Sequence, residues 1–185
     1  SQETVPSSGW KIEKVSDRKV RDEWKPLWGK RAVVEDHFNE LVIDLVNPAG
    51  QPERMQLVVR GYNDGFAFCY KIPDGKGPCV NVQSELTAYN FAGDYTAWFY
   101  NGENHNIGPE KLTETDGTRL PVMTVKAGDK HYMAIHEACL ETGAPLVLQS
   151  KGGNRSFRSL PSRPVCRRDI HQPGVSFCMG RYLAC

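Results

Sequence analysis

From residue 55 onward the chain is a succession of short runs rich in β-branched and aromatic residues, each closed by turn-forming residues. Residues 55–60 alternate, with Met55, Leu57 and Val59 predicted to point inward, and Asn63-Asp64-Gly65 is hairpin-turn chemistry. Phe66, Phe68, Tyr70 and Ile72 then share one face, and residues 73–78 close that strand. Further extended runs are expected over 80–91 and 95–100, with a turn at 92–94, and over 122–125 and 131–140, with a turn at Ala127-Gly128-Asp129. A last short strand is expected at 146–149. Strands this closely spaced leave no room for packed helices, so the expected fold is all-β, an antiparallel sandwich or barrel.

The remaining segments carry weaker signals. Residues 10–15 alternate and predict a first strand, whereas the charged stretch 16–24 reads as a helical turn or loop. Val34, Phe38, Leu41 and Leu45 have helical spacing, but the β-branched run ending at Asn47-Pro48 favours a strand over 38–46. Residues 101–119 read as a polar loop. After Ser150 arginines and prolines accumulate without periodicity. The chain therefore divides into a sandwich over 1–150 and a basic, Cys-containing tail over 151–185.

Composition narrows the function classes. A net charge of +1 gives no global field for nucleic acid or an anionic membrane. No apolar run approaches the roughly 18 residues of a membrane span. Residues 1–10 are polar and are no secretory leader, although a removed leader is compatible with the rest. Cys166, His171, Cys178 and Cys185 crowd the end of the chain, but their spacing matches no standard zinc pattern.

The hairpin over 118–140 carries the most specific chemistry. Alternation places His131, Met133, Ile135, Glu137 and Cys139 on one face. Glu137 thus stands on a largely apolar face, where a carboxylate needs a cation, a donor or a proton. It serves either as an ordinary ion-paired strand end or as a site carboxylate. Upstream, Trp24-Lys-Pro-Leu-Trp28 sets two indoles close together, which serves either packing or sugar stacking.

Five blocks in order resemble the N-terminal sandwich of glycoside hydrolase family 97. They are EWKPLWGK, DHFNELVIDL, MQLVVRGYNDGFAFCYKIP, SELTAYNFAGDYTAW and LPVMTVKAGDKHYMAIHEACL, spread over residues 10–149. The resemblance implies a galactose-mutarotase-like β-sandwich, here incomplete, from a family of α-glucosidases and α-galactosidases. Members are common in Bacteroidetes and are periplasmic or secreted. It further implies a catalytic (β/α)8 barrel as partner domain and an active-site calcium to which the sandwich lends one glutamate. That glutamate matches Glu137 of Ile135-His-Glu-Ala138. Calcium takes several oxygens, so one carboxylate cannot hold it alone.

This sequence departs from the family pattern in places. Gly29-Lys30 stands for the usual Gly-Glu, Phe68-Cys69 for Phe-Arg, and no Thr-Pro-Trp-Arg block follows Gln149. A truncated product, without catalytic residues of its own and inactive alone, is the expectation from these departures. The leading function is a carbohydrate-associated module supporting an α-glycosidase site. The alternatives are a stand-alone sugar-binding module, a mutarotase-like enzyme and a non-functional product. Trp24, Trp28, Trp98 and His136 are the candidate carbohydrate contacts, Glu137 the candidate calcium ligand. His136 and Glu137 face opposite ways on a strand, which disfavours them as an acid–base pair. Missing strands would leave open sheet edges and invite homo-oligomers.

Overall fold

The computed structural model describes residues 9–49, 53–71, 81–82, 86–102, 106–139, 145–161, 165–166 and 180–184. Every regular element among them is a β-strand. In chain order they are β1 (Lys11–Trp24), β2 (Val34–Val46), β3 (Arg54–Tyr62), β4 (Gly65–Lys71), β5 (Asn81–Val82), β6 (Ala88–Asn90) and β7 (Thr96–Tyr100). They continue with β8 (Asn106–Lys111), β9 (Asp116–Lys126), β10 (Tyr132–Cys139), β11 (Leu146–Lys151), β12 (Ser156–Pro161), β13 (Val165–Cys166) and β14 (Gly180–Ala184). All pairings are antiparallel, in the order β1-β2-β3-β4-β14-β10-β9-β11-β12-β6, with β7 and then β8 added on the far side of β9 and a separate β5–β13 ribbon. The fold is the all-β, sandwich-like one that the closely spaced runs predict.

Strand β9 turns this ribbon into two layers. Its first half pairs with β11 through Arg119↔Leu148, and its second half pairs with β10 from Met123↔Ile135 onward. Pro121 lies between the two halves and has no N–H to give to a ladder, so the strand can exchange neighbours there. One layer then runs from β1 to β8 and the other from β9 through β11 and β12 to β6. The core fills the space between them. Phe99, Met123, Val125 and Ile135 from the first layer meet Leu146, Leu148, Phe157 and Tyr89 from the second, with Leu112 closing one end.

Four sequence expectations change. Residues 16–24 are part of β1 rather than a turn or loop. The charged composition suits the outermost strand, where every β1 residue except Val20 is exposed and charge discourages edge-to-edge pairing. The stretch 101–119 contains β8 and the start of β9; β8 is an outer strand that leaves most of its residues exposed and packs Ile107 against the core. Strand β2 begins at Val34, ahead of the expected start. On β3, Val58 is the buried residue at 5% exposure, whereas Met55, Leu57 and Val59 are half-buried. Arg60 and Tyr62 explain this: they lie over Phe38 on the face that Val58 shares, and seal it.

Strand formation also continues past the expected last strand. Segment β12 pairs with β11 and β6 and delivers Phe157 to the core at 0% exposure. Strand β14 fills the gap between β4 and β10. Arg158 occupies the solvent-facing position between buried Phe157 and Ser159, which masks the alternation. The expected turn at 73–78, together with Ile72, Cys79, His171, Cys178 and Cys185, lies outside the described residues.

Candidate functional site

Glu137 stands on the face that alternation predicts. Ile135 is fully buried and Met133 packs against the core from the same side of β10, whereas Tyr132 on the other side is half exposed. Its register row runs through Arg181, Phe68, Val59 and Leu41, across β14, β4, β3 and β2. Phe68 packs against the core, while Val59 and Leu41 are only half-buried. Glu137 therefore sits where the opposing layer ends.

What satisfies the carboxylate is the first residue of that opposing layer. The Leu146 backbone N–H donates to Glu137 Oε2 at 2.9 Å. The bond ties β10 to the start of β11 and fixes the direction of the side chain, which remains partly exposed. One carboxylate oxygen is thereby committed to the fold. No group of three or more His, Cys, Asp or Glu side chains suited to a metal occurs among the described residues. Glu137 is thus at most one member of a larger ligand set.

The candidate sugar contacts do not converge. His136 is half-buried on the opposite face of β10, its Nδ1 2.9 Å from the Glu137 carbonyl oxygen. Trp98 on β7 is half-buried, and its indole edge crowds Gly108 of β8, where an added Cβ would lie 3.1 Å from Cδ1. Two strands and two residues separate Trp98 from His136, about 12 Å at ordinary sheet spacings. Trp24 ends β1, five strands from β10 and seven residues past the row of Glu137, on the order of 30 Å away. Trp24 and Trp28 are 54% and 87% exposed, so neither indole is packed in the core.

A charged cluster on β1–β3 escaped the sequence reading. Glu40, only 6% exposed, accepts from Arg18 Nε at 2.5 Å and from Arg60 Nε at 2.8 Å. Arg60 also lies 4.4 Å from the centre of the Phe38 ring. Burial by itself would raise the Glu40 pKa, but the two guanidinium hydrogen bonds and their charges outweigh it and hold the carboxyl below the usual range. The three residues are direct cross-strand neighbours. Their grouping becomes visible once the β1–β2 and β2–β3 registers are known.

With this geometry in place, comparison with known proteins decides the family. Residues 3–165 match Glycosyl-hydrolase 97 N-terminal. The chain belongs to that family. As a Glycosyl-hydrolase 97 N-terminal domain it is 27% identical over 171 residues to a probable retaining alpha-galactosidase of Streptomyces bingchenggensis, covering 91% of this chain and 23% of that protein. It is 29% identical over 159 residues to a retaining alpha-galactosidase of Bacteroides thetaiotaomicron, covering 76% and 23%. A Glycoside Hydrolase Family 97 enzyme from Pseudoalteromonas sp. strain K8, solved with acarbose, shares the fold at a TM-score of 0.81 and 23% identity, over 96% of this chain and 28% of that one. A beta-arabinopyranosidase shares it at 0.74 and 15%, over 95% and 31%. The chain thus spans about a quarter of the length of these relatives.

Proposed function

We propose that this N-terminal domain serves a retaining α-galactosidase by holding Glu137 as one carboxylate ligand of a calcium ion completed by a catalytic domain. Glu137 carries the reading, because it is a half-buried acid oriented by the Leu146 N–H. A ligand preset in this way loses less freedom on binding than one on a mobile loop. When bound, calcium supplies a hard positive centre for oxygen ligands. This domain's own part is to orient the Glu137 carboxylate. The α-galactoside substrate class follows the two curated relatives, which are named for that activity.

Two preparations test this. One is the isolated chain; the other joins it to the Bacteroides thetaiotaomicron enzyme in place of the segment it matches. The isolated chain is expected to release no nitrophenol from a nitrophenyl α-galactoside and to bind calcium weakly. The joined protein is expected to hydrolyse it, with Glu137→Gln weakening calcium at least ~10-fold, since even outer-shell changes cost that much. Unchanged calcium affinity in the Gln variant refutes the assignment.

A second reading is a sugar-binding module using the exposed indoles of Trp24 and Trp28. Calorimetry of the isolated chain with maltose and with galactosides separates the two: heat of binding that Trp28→Ala abolishes supports the module.

A further inference from the structure

The β1–β2 hairpin is paired without a break from Lys14↔Asp44 to Trp24↔Val34, so its tip is presented on a stiff arm. That tip, residues 25–33, holds the most exposed apolar side chains among the described residues. Leu27 is 99% exposed and Trp28 87%, flanked by Trp24 at 54% and Val33 at 39%. Lys25, Lys30 and Arg31 are exposed within the tip, and Asp22, Glu23, Glu35 and Asp36 lie beside it on the two strands, so the rim of the patch carries both signs. Contiguous apolar side chains of this kind, rimmed by polar groups, mark interaction surfaces, and tryptophan is the residue most enriched at binding hot spots.

We infer that this tip is the contact through which the domain seats on the rest of the longer glycosidase, in an apolar pocket. The inference rests on the reading of the chain as one domain of a larger enzyme. Two observations select this occupant. About three-quarters of the length of the curated relatives lies outside the part this chain matches, so a covering partner is at hand. The charged β1 edge beside the tip opposes pairing with a second copy. A sugar would stack on an indole face but would leave the fully exposed Leu27 uncovered.

Hydroxyl-radical footprinting tests the contact on the isolated chain and on the joined protein described above, with added free tryptophan as the reference. Trp28 and Leu27 are expected to react as exposed side chains in the isolated chain and severalfold more slowly in the joined protein. Equal rates in the two overturn the inference. So does protection in the isolated chain that grows with concentration, which identifies a second copy as the occupant. Should the joined protein not fold, the same measurement on the intact Bacteroides enzyme, at the loop aligned with Trp24–Arg31, decides in the same way. Protection of Trp28 alongside unchanged calcium affinity in Glu137→Gln would retire the calcium reading and leave the docking surface standing. The opposite pair of results would retire the docking surface alone.

Discussion

Replacing Phe157 with alanine tests whether the segment after Ser150 is structural. The ring is fully buried on β12, 5.6 Å from the Phe99 ring and 6.3 Å, edge-on, from Phe91. An aromatic side chain buries about 150–250 Å², and at about 25 cal/mol per Å² most of that is lost on truncation. That area figure is an upper estimate, and truncation of a buried Phe to Ala, transfer and cavity terms together, costs about 3–5 kcal/mol. Domains are stabilised by only about 5–15 kcal/mol, so the variant sits near the limit of folding. For a chain of this size each kcal/mol moves Tm by about 2–4 °C, giving a fall of about 6–20 °C. Circular dichroism with heat and with urea reads it, and Phe157→Leu serves as a milder variant if the alanine protein does not fold. A fall of less than about 2 °C with an unchanged urea slope would refute the reasoning, because it would mean that β12 is not part of the cooperative core.

Three further outcomes follow from the same geometry. Glu40 has its folded pKa depressed below the unfolded value by Arg18 and Arg60, so its contribution is full above the unfolded pKa and is lost as pH falls through the folded one; urea titrations from neutral to acid pH should show that loss in the parent and a smaller one in Glu40→Gln. Gly108 and Gly128 have φ of +117° and +115°, but only at Gly108 would a Cβ strike backbone, 2.6 Å from the Ala97 carbonyl oxygen; Gly128→Ala should cost about 1–2 kcal/mol from strain alone and Gly108→Ala clearly more, and equal costs would show that the β7–β8 approach is looser than described. Removing the acceptor for the Leu146 N–H with Glu137→Ala should cost about 1–2 kcal/mol, while Glu137→Gln keeps an acceptor oxygen and most of the stability; equal losses in thermal unfolding would mean that the bond adds nothing to the fold.

Local pattern sufficed wherever one strand carried its own signal. Alternation around Ile135 placed Glu137 on the core-facing side, and turn chemistry at Asn63-Asp64-Gly65 located the β3–β4 hairpin, because side-chain period and turn geometry are set within a few residues. The order of family-like blocks located the chain among family 97 sandwiches for the same reason. What lay beyond reach was decided by neighbours distant in sequence. The charges of residues 16–24 suit a strand only because β2 pairs along their whole length. The basic stretch after Ser150 becomes core only because β11 and β6 flank Phe157. The Glu40 cluster exists only in the register of three strands, and the donor that orients Glu137 belongs to the opposite layer. The residue types of such contacts are written in the chain, but their meeting depends on how the sheets pair and stack, which no short window contains.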